Sequence, residues 1–176
     1  MGRILGACLV TSLVAVGLLV TPAQAQLART FVSAVNGNDA NDCNRLTPCR
    51  TFQRAHNNTF DQGEITVLDS GGYGAVLITK SISIINDGVG EAGVLVSGGA
   101  TGIEINAPDT AYVSLRGLTV QGIGFGGGTG LRFDNAFALT ITNCAFRNHT
   151  GNGIELLPNA TSHIAISNTL ATDNGG

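Results

Sequence analysis

One eight-residue phrase occurs three times in the second half of the chain: Val113-Ser-Leu-Arg-Gly-Leu-Thr-Val120, Leu139-Thr-Ile-Thr-Asn-Cys-Ala-Phe146 and Ile164-Ala-Ile-Ser-Asn-Thr-Leu-Ala171. The copies begin 26 and then 25 residues apart. Each alternates apolar and polar residues, meets Gly117, Asn143 or Asn168 at its fifth position, and turns apolar again. Such alternation marks a strand with one buried face. A second phrase is interleaved with the first: Gly102-Ile-Glu-Ile105, Gly130-Leu-Arg-Phe133 and Gly153-Ile-Glu-Leu156, recurring at 28 and 23 residues. Two strand families on one shared period predict a solenoid, each period being one turn with several faces. Period-2 alternation excludes a helical solenoid, and the lack of consistent two-residue hairpin turns argues against a two-sheet sandwich.

The fifth position fits a sharp bend between two strands. Such a bend often needs a positive φ, which Gly accepts freely and Asn at modest cost. Gly117, Asn143 and Asn168 are therefore expected as structural turn residues, with stacked Asn amides bonding along the column. Upstream, Glu64-Ile-Thr-Val-Leu68, Val76-Leu-Ile78, Ile82-Ser-Ile-Ile85 and Val94-Leu-Val96 read as further strands separated by Gly, Asp and Asn. Thr30 to Val35 reads as a first strand. Thr47-Pro48 predicts a helix start, with Thr as N-cap and Pro at the first helical position. Phe52, Ala55 and His56 then share one face of a short helix ending by Asn57-Asn58. That helix and the loop before it are expected to cap the open end of the strand stack, whose unpaired edges would otherwise template aggregation. His56 belongs to this cap more readily than to a catalytic base.

The first 25 residues read as an export signal: Arg3, an apolar run from Leu9 to Val20, and an Ala23-Gln24-Ala25 cleavage site. A membrane anchor is the competing reading, but the run is short for a span. The expected organisation is residues 1–25 signal, 26–63 N-terminal strand, disulfide loop and capping helix, and 64–176 strand coils. Removal of the signal leaves 151 of the 176 residues, enough for one core, with 8 basic and 12 acidic side chains. No basic cluster is present, so a nucleic-acid partner is not expected. The predicted location is secreted, periplasmic or cell-surface, with no membrane association once the signal is cleaved.

Cys43 and Cys49 bracket a tight segment, and an exported chain meets an oxidising compartment, so a local disulfide is expected. A metal site is the alternative; it lacks a second cysteine pair or a histidine cluster. Cys144 sits inside a repeat and reads as a buried free thiol. Asn36 to Asp42 offers oxygens suited to Ca²⁺, yet its spacing matches no defined calcium loop, and Asx turns explain it as well. No other cofactor is expected. Gly122-Ile-Gly-Phe-Gly-Gly127 satisfies G-x-G-x-x-G without a following helix. Gly127-Gly-Thr-Gly-Leu-Arg132 begins like a calcium-binding nonapeptide but carries Arg132 where Asp is required.

Several segments together resemble a known family: Phe31-Val-Ser with Gly37-Asn-Asp, Cys43 with Pro48-Cys49-Arg50-Thr51-Phe52-Gln53, Ile65-Thr-Val-Leu-Asp69, and the Gly-Ile-Glu-Ile repeats. The chain is similar to right-handed parallel β-helix proteins of the pectin-lyase-like superfamily, more narrowly to bacterial exported β-helix repeat proteins, over residues 30 to 176. The resemblance implies an all-β, single-stranded right-handed parallel β-helix with a short N-terminal capping helix. It implies either a non-catalytic surface, glycan-contacting or adhesin-like module, or a polysaccharide-active lyase or hydrolase. Catalytic signatures of that superfamily do not carry over: Asn168-Thr169 is followed by Leu170, no carboxylates are adjacent, and Asn148-His149-Thr150 stands where Gly-His-Gly is expected. Thr172 to Gly176 repeats the turn that leads from Arg147 into Gly153, so the coil array is expected to be C-terminally incomplete.

One charged constellation remains. Alternation puts Ile103, Ile105, Leu131, Phe133, Ile154 and Leu156 inside and Glu104, Arg132 and Glu155 outside. If these strands stack in register, neighbours lie about 4.8 Å apart and the two Glu roughly 9–10 Å apart. As plain structure this is a charge ladder that keeps the face soluble. As chemistry, Glu104, Arg132 and Glu155 are the catalytic candidates: Arg132 suits a uronate carboxylate of an extracellular polysaccharide while a Glu does acid or base work, at a Glu spacing near that of inverting glycosidases. A guanidinium between the two is a poor setting for a general acid.

Overall fold

In the computed structural model, which describes residues 26–123 and 126–176, β1 (Leu27–Val32) and α1 (Phe52–Asn58) precede a series of repeating circuits. The first circuit is β2 (Thr59–Val67), β3 (Gly71–Gly72) and β4 (Val76–Ile78). The second is β5 (Ile82–Ile85), β6 (Ala92–Val96) and β7 (Thr101–Asn106). The third is β8 (Tyr112–Arg116), β9 (Leu118–Gly122) and β10 (Thr129–Asn135). The fourth is β11 (Ala138–Thr142), β12 (Ala145–Arg147) and β13 (Ile154–Leu156), followed by β14 (His163–Ser167) and β15 (Leu170–Thr172). The segment read as an export signal, residues 1–25, lies outside the described residues, as does Gly124-Phe125 of the glycine-rich stretch.

The first, second and third strands of successive circuits collect into three sheets, ordered β1-β2-β5-β8-β11-β14, β3-β6-β9-β12-β15 and β4-β7-β10-β13. Every pairing is parallel. This all-β arrangement is compatible with a β-helix solenoid. Both repeated phrases stack residue on residue: Leu139 lies between Val113 and Ile164, and Arg132 between Glu104 and Glu155. Register is enforced because a one-residue slip would turn each apolar row outward.

The inward rows form one core, with Ile65, Ile84, Leu115 and Ile141 from the first sheet, Val94, Val120 and Phe146 from the second, and Ile78, Ile105 and Phe133 from the third. Each buried aliphatic or aromatic side chain contributes about 1.5–3 kcal/mol. Cys144 is buried beside them as a free thiol, and burial pushes its pKa up. The rows lose cover in the last strands. Ile154 is only partly buried, while Leu156 and Ile166 are 39% and 45% exposed. The expected burial of Ile154 and Leu156 is corrected accordingly: their inward direction holds, but little packs on their far side.

The bends carry a ladder of their own. Gly117, Asn143 and Asn168 have φ of 70°, 56° and 45°, as their position requires. Asn168 Nδ2 donates to Asn143 Oδ1 at 2.6 Å. Asn86, one circuit earlier, heads the same column: its N–H donates to Arg116 O, as that of Gly117 does to Thr142 O and that of Asn143 to Ser167 O. The Asn86 amide donates to Gly117 O and Gly90 O, both at 2.8 Å. A Cβ on Gly117 would run into the Asn86 carbonyl, which explains why this member of the column is glycine.

The N-terminal cap differs from expectation in its boundaries. The first strand is Leu27–Val32, not Thr30 to Val35, because Ser33 and the following residues turn away to bond Asp69. The helix begins at Phe52 with Thr51 as N-cap, its hydroxyl accepting from Arg54 N at 3.2 Å. Thr47 instead donates to Asp42, and Cys49 N donates to Phe31 O at 2.9 Å, so this stretch runs beside β1. The Cys43–Cys49 disulfide closes the loop, a bond compatible with an extracellular setting. Among the described residues, no helix is long and apolar enough to cross a membrane.

Replacing Asn143 with Ala leaves a Cβ-bearing residue at positive φ and removes Asn168's partner. A loss of about 1–2 kcal/mol is expected, with Asn143→Gly milder and Gly117→Ala more severe than either. Urea unfolding of the three variants measures the order.

Candidate functional site

The outer face of the third sheet is the place to look, because alternation presents one polar row there. Strands β7, β10 and β13 hold Glu104, Arg132 and Glu155 as direct neighbours, and Leu77 of β4 continues the row below them. Glu104 and Glu155 are half-buried, and the Arg132 side chain is 45% exposed. The sequence-derived column is therefore assembled.

Its bonding is different from a simple Glu–Arg–Glu chain. Arg132 Nε donates to Asp134 Oδ1 at 2.9 Å, and Asp134 is only 12% exposed. That ion pair is made within β10, two residues along the same face. Asp134 was legible in the sequence only as the next outward position after Arg132. The Asp134 carboxylate, with smaller contributions from Glu104 and Glu155, holds the guanidinium pKa above its ordinary value. Glu155 Oε1 accepts from Asn152 Nδ2 at 2.8 Å, which fixes the carboxylate against the strand edge. Beside Glu104 lies a shallow recess of about 210 Å³, lined by Gln53, Leu77, Thr101 and Glu104 among others. The face thus offers one cation among three carboxylates, beside a small hollow of mixed polar and apolar lining.

Other titratable groups of interest serve the fold. Asp69 takes hydrogen bonds from Ser33 Oγ, Ala34 N and Tyr73 Oη. Burial pushes its carboxyl pKa up, but those bonds outweigh it and hold the group below its ordinary value. Burial, reinforced by the Asp69 carboxylate, raises the Tyr73 phenol. In the segment considered for Ca²⁺, Asp39 accepts from Arg50 N, Thr51 N and Thr51 Oγ1, while Asp42 accepts from Asn44 and Thr47. Its oxygens are thus engaged in turns and in the approach to α1. Among the described residues, no group of three His, Cys, Asp or Glu side chains gathers as metal ligands do. His149 is buried between circuits, with ring nitrogens 3.1 Å from Gly127 O and 3.2 Å from Val120 O. Both carbonyls only accept, so a neutral ring donates to one of them and lies against the other; either way His149 is packed against the main chain of the preceding circuit.

No protein-family model matches the chain, and comparison with characterised proteins and with solved structures gave no significant match.

His56 is buried in the cap, as its helical face implied. Its Nε2 accepts from Thr79 N at 3.3 Å, which puts the proton on Nδ1, 3.4 Å from Asn57 Oδ1. Burial lowers its pKa below the ordinary 6.5; the Asn57 bond opposes this and Lys80 adds to it. The unfolded chain therefore binds a proton near pH 6.5 that the folded chain refuses. Stability from neutral His56 is complete above that pH and falls as pH drops toward the lowered folded value. Thermal melts should show a falling Tm between pH 7.5 and 5.5, a slope that His56→Gln reduces while keeping an acceptor for Thr79.

Proposed function

We propose that the protein is an exported right-handed parallel β-helix of the pectin-lyase-like kind, acting as a non-catalytic module that contacts acidic extracellular glycans. The right hand follows from the strong preference of parallel crossover connections for that sense. The contact face is the outer surface of the third sheet, where Arg132 meets a glycan carboxylate while Glu104, Glu155 and the neighbouring amides meet hydroxyls.

The observation that carries the non-catalytic reading is the bonding of the column. Arg132 is tied to Asp134 at 2.9 Å and Glu155 to Asn152 at 2.8 Å. Each carboxylate on this face is engaged by a donor or faces the guanidinium one strand away. None sits in the apolar enclosure that keeps a general acid protonated. A guanidinium remaining 45% exposed beside amides suits reversible contact with a uronate, since it forks onto a carboxylate.

A second reading has one observation in its favour. Glu104 and Glu155 lie two strands apart, about 9–10 Å, close to the carboxylate separation of inverting glycosidases. On that reading the protein is a polysaccharide lyase or hydrolase, with Ca²⁺ as an added requirement in the lyase case.

One experiment separates them. The protein is offered a panel of uronate polymers with and without Ca²⁺, and binding and chain cleavage are both measured. Binding without cleavage is expected, with Arg132→Gln weakening it about tenfold or more through loss of a charge-assisted contact. Turnover abolished by Glu155→Gln would establish the enzyme instead, and neither binding nor cleavage would remove both readings.

A further inference from the structure

At the corner where the third sheet passes into the first, the surface changes character. Tyr112, Phe137 and His163 follow one another along it, with ring centroids 5.1 Å and then 5.0 Å apart. Tyr112 is 60% exposed, although it is one of only two tyrosines in a chain without tryptophan. Beside its ring lies a recess of about 360 Å³ whose walls include Asp61, Gln62, Lys80, Ser81, Thr110 and Tyr112. That volume is at the lower end of the range for small-ligand sites.

The recess is held in shape by the chain around Ser81. Ser81 N donates to Asp61 Oδ1 at 2.9 Å, Gln62 N donates to Ser81 O at 2.8 Å, and Tyr112 N donates to Ser81 Oγ at 3.1 Å. These bonds hold Gln62 at φ 67°, a conformation a residue with Cβ adopts only when its surroundings impose it. Lys80 Nζ donates to Thr59 O at 2.5 Å. An ammonium has three donors, so two remain for the recess. Asp61, Gln62, Ser81 and Thr110 add acceptors and donors, and the ammonium and carboxylate balance in charge.

We propose that this recess is a binding site for a neutral sugar ring, stacked on the Tyr112 face with its hydroxyls toward Lys80, Asp61 and Gln62. A pyranose presents an apolar C–H face and a rim of hydroxyls, which matches one aromatic wall beside a cluster of mixed donors and acceptors. A uronate fits less well, because Asp61 lies beside Lys80. Phe137 and His163 follow along the same corner, but successive rings are tilted by 57° and 58°, so the stacking face proposed is that of Tyr112 alone. The choice of a glycan as partner rests on the function proposed above, but the site is separate from the Arg132 face and takes a different ligand.

Because Tyr73 is fully buried, a change in tyrosine emission on adding ligand reports on Tyr112. The protein is titrated with neutral gluco-, xylo- and N-acetylglucosamine oligomers. A saturable emission change is expected with at least one of them, at a Kd about 0.1–10 mM for so open a site. Ligand-observed NMR then compares variants whose fold is checked by circular dichroism. Tyr112→Ala should weaken binding at least tenfold. Gln62→Gly, which accepts φ 67° without strain, should stay folded and weaken it several-fold. Arg132→Gln should leave neutral-oligomer binding unchanged, so failure here and failure of the Arg132 face are told apart. Absence of saturable binding to every neutral oligomer, binding undiminished in folded Tyr112→Ala, or binding of acidic oligomers alone would overturn the proposal.

Discussion

In a stack of parallel strands, each circuit satisfies its backbone donors and acceptors on the circuits above and below it. Once Leu139 is paired with Val113 on one side and Ile164 on the other, neighbouring residues have little freedom of position. The apolar rows must then meet inside, the polar rows must align outside, and the bends must fall at one height. That constraint converts a loose repeat in sequence into columns in space. The Asn86, Gly117, Asn143 and Asn168 column is one such product, and the Glu104, Arg132 and Glu155 row is another. The cap serves the same constraint from the end of the stack. Its strand β1 pairs with β2, and its helix buries Phe52, Ala55 and His56.

What could be read from the residues alone follows this logic. Positions with a single steric solution were legible: the positive φ at Gly117, Asn143 and Asn168 follows from what other side chains cannot do. Inward rows were legible for the same reason, since alternation leaves only two faces. Local hydrogen-bond competition was not. Thr47 and Thr51 are both sound N-caps in isolation. Only the pairing of Cys49 with Phe31 across the loop decides for Thr51. Asp134 was missed because a pattern read strand by strand does not show which neighbour a long guanidinium will reach. Ile154 and Leu156 point inward as expected, yet burial needs atoms on both sides, and no strand-level pattern reports that.

The two surface features that bear on function differ in kind. On the Arg132 face, Asp134 and Glu155 each accept a hydrogen bond and Glu104 neighbours the arginine one strand away. At the Tyr112 corner, the charges balance and an aromatic ring is left uncovered in a chain with few aromatics. Both features run along the stack axis, but the Arg132 row changes from Leu77 to Glu104, Arg132 and Glu155 at successive rises, whereas the Tyr112 corner repeats an aromatic ring at each one.

Cys144 gives this stack an internal clock. Among the described residues its thiol is the only one not in a disulfide, and it is buried against the carbonyl of Thr142 in its own circuit and that of Leu115 in the circuit before. With the residue 4% exposed, a thiol reagent in solution meets little of it while the stack is closed and far more when the circuits part at that level. The rate of its modification therefore rises with the frequency of local opening. A residue outside both surface features thus records how often the stack breathes.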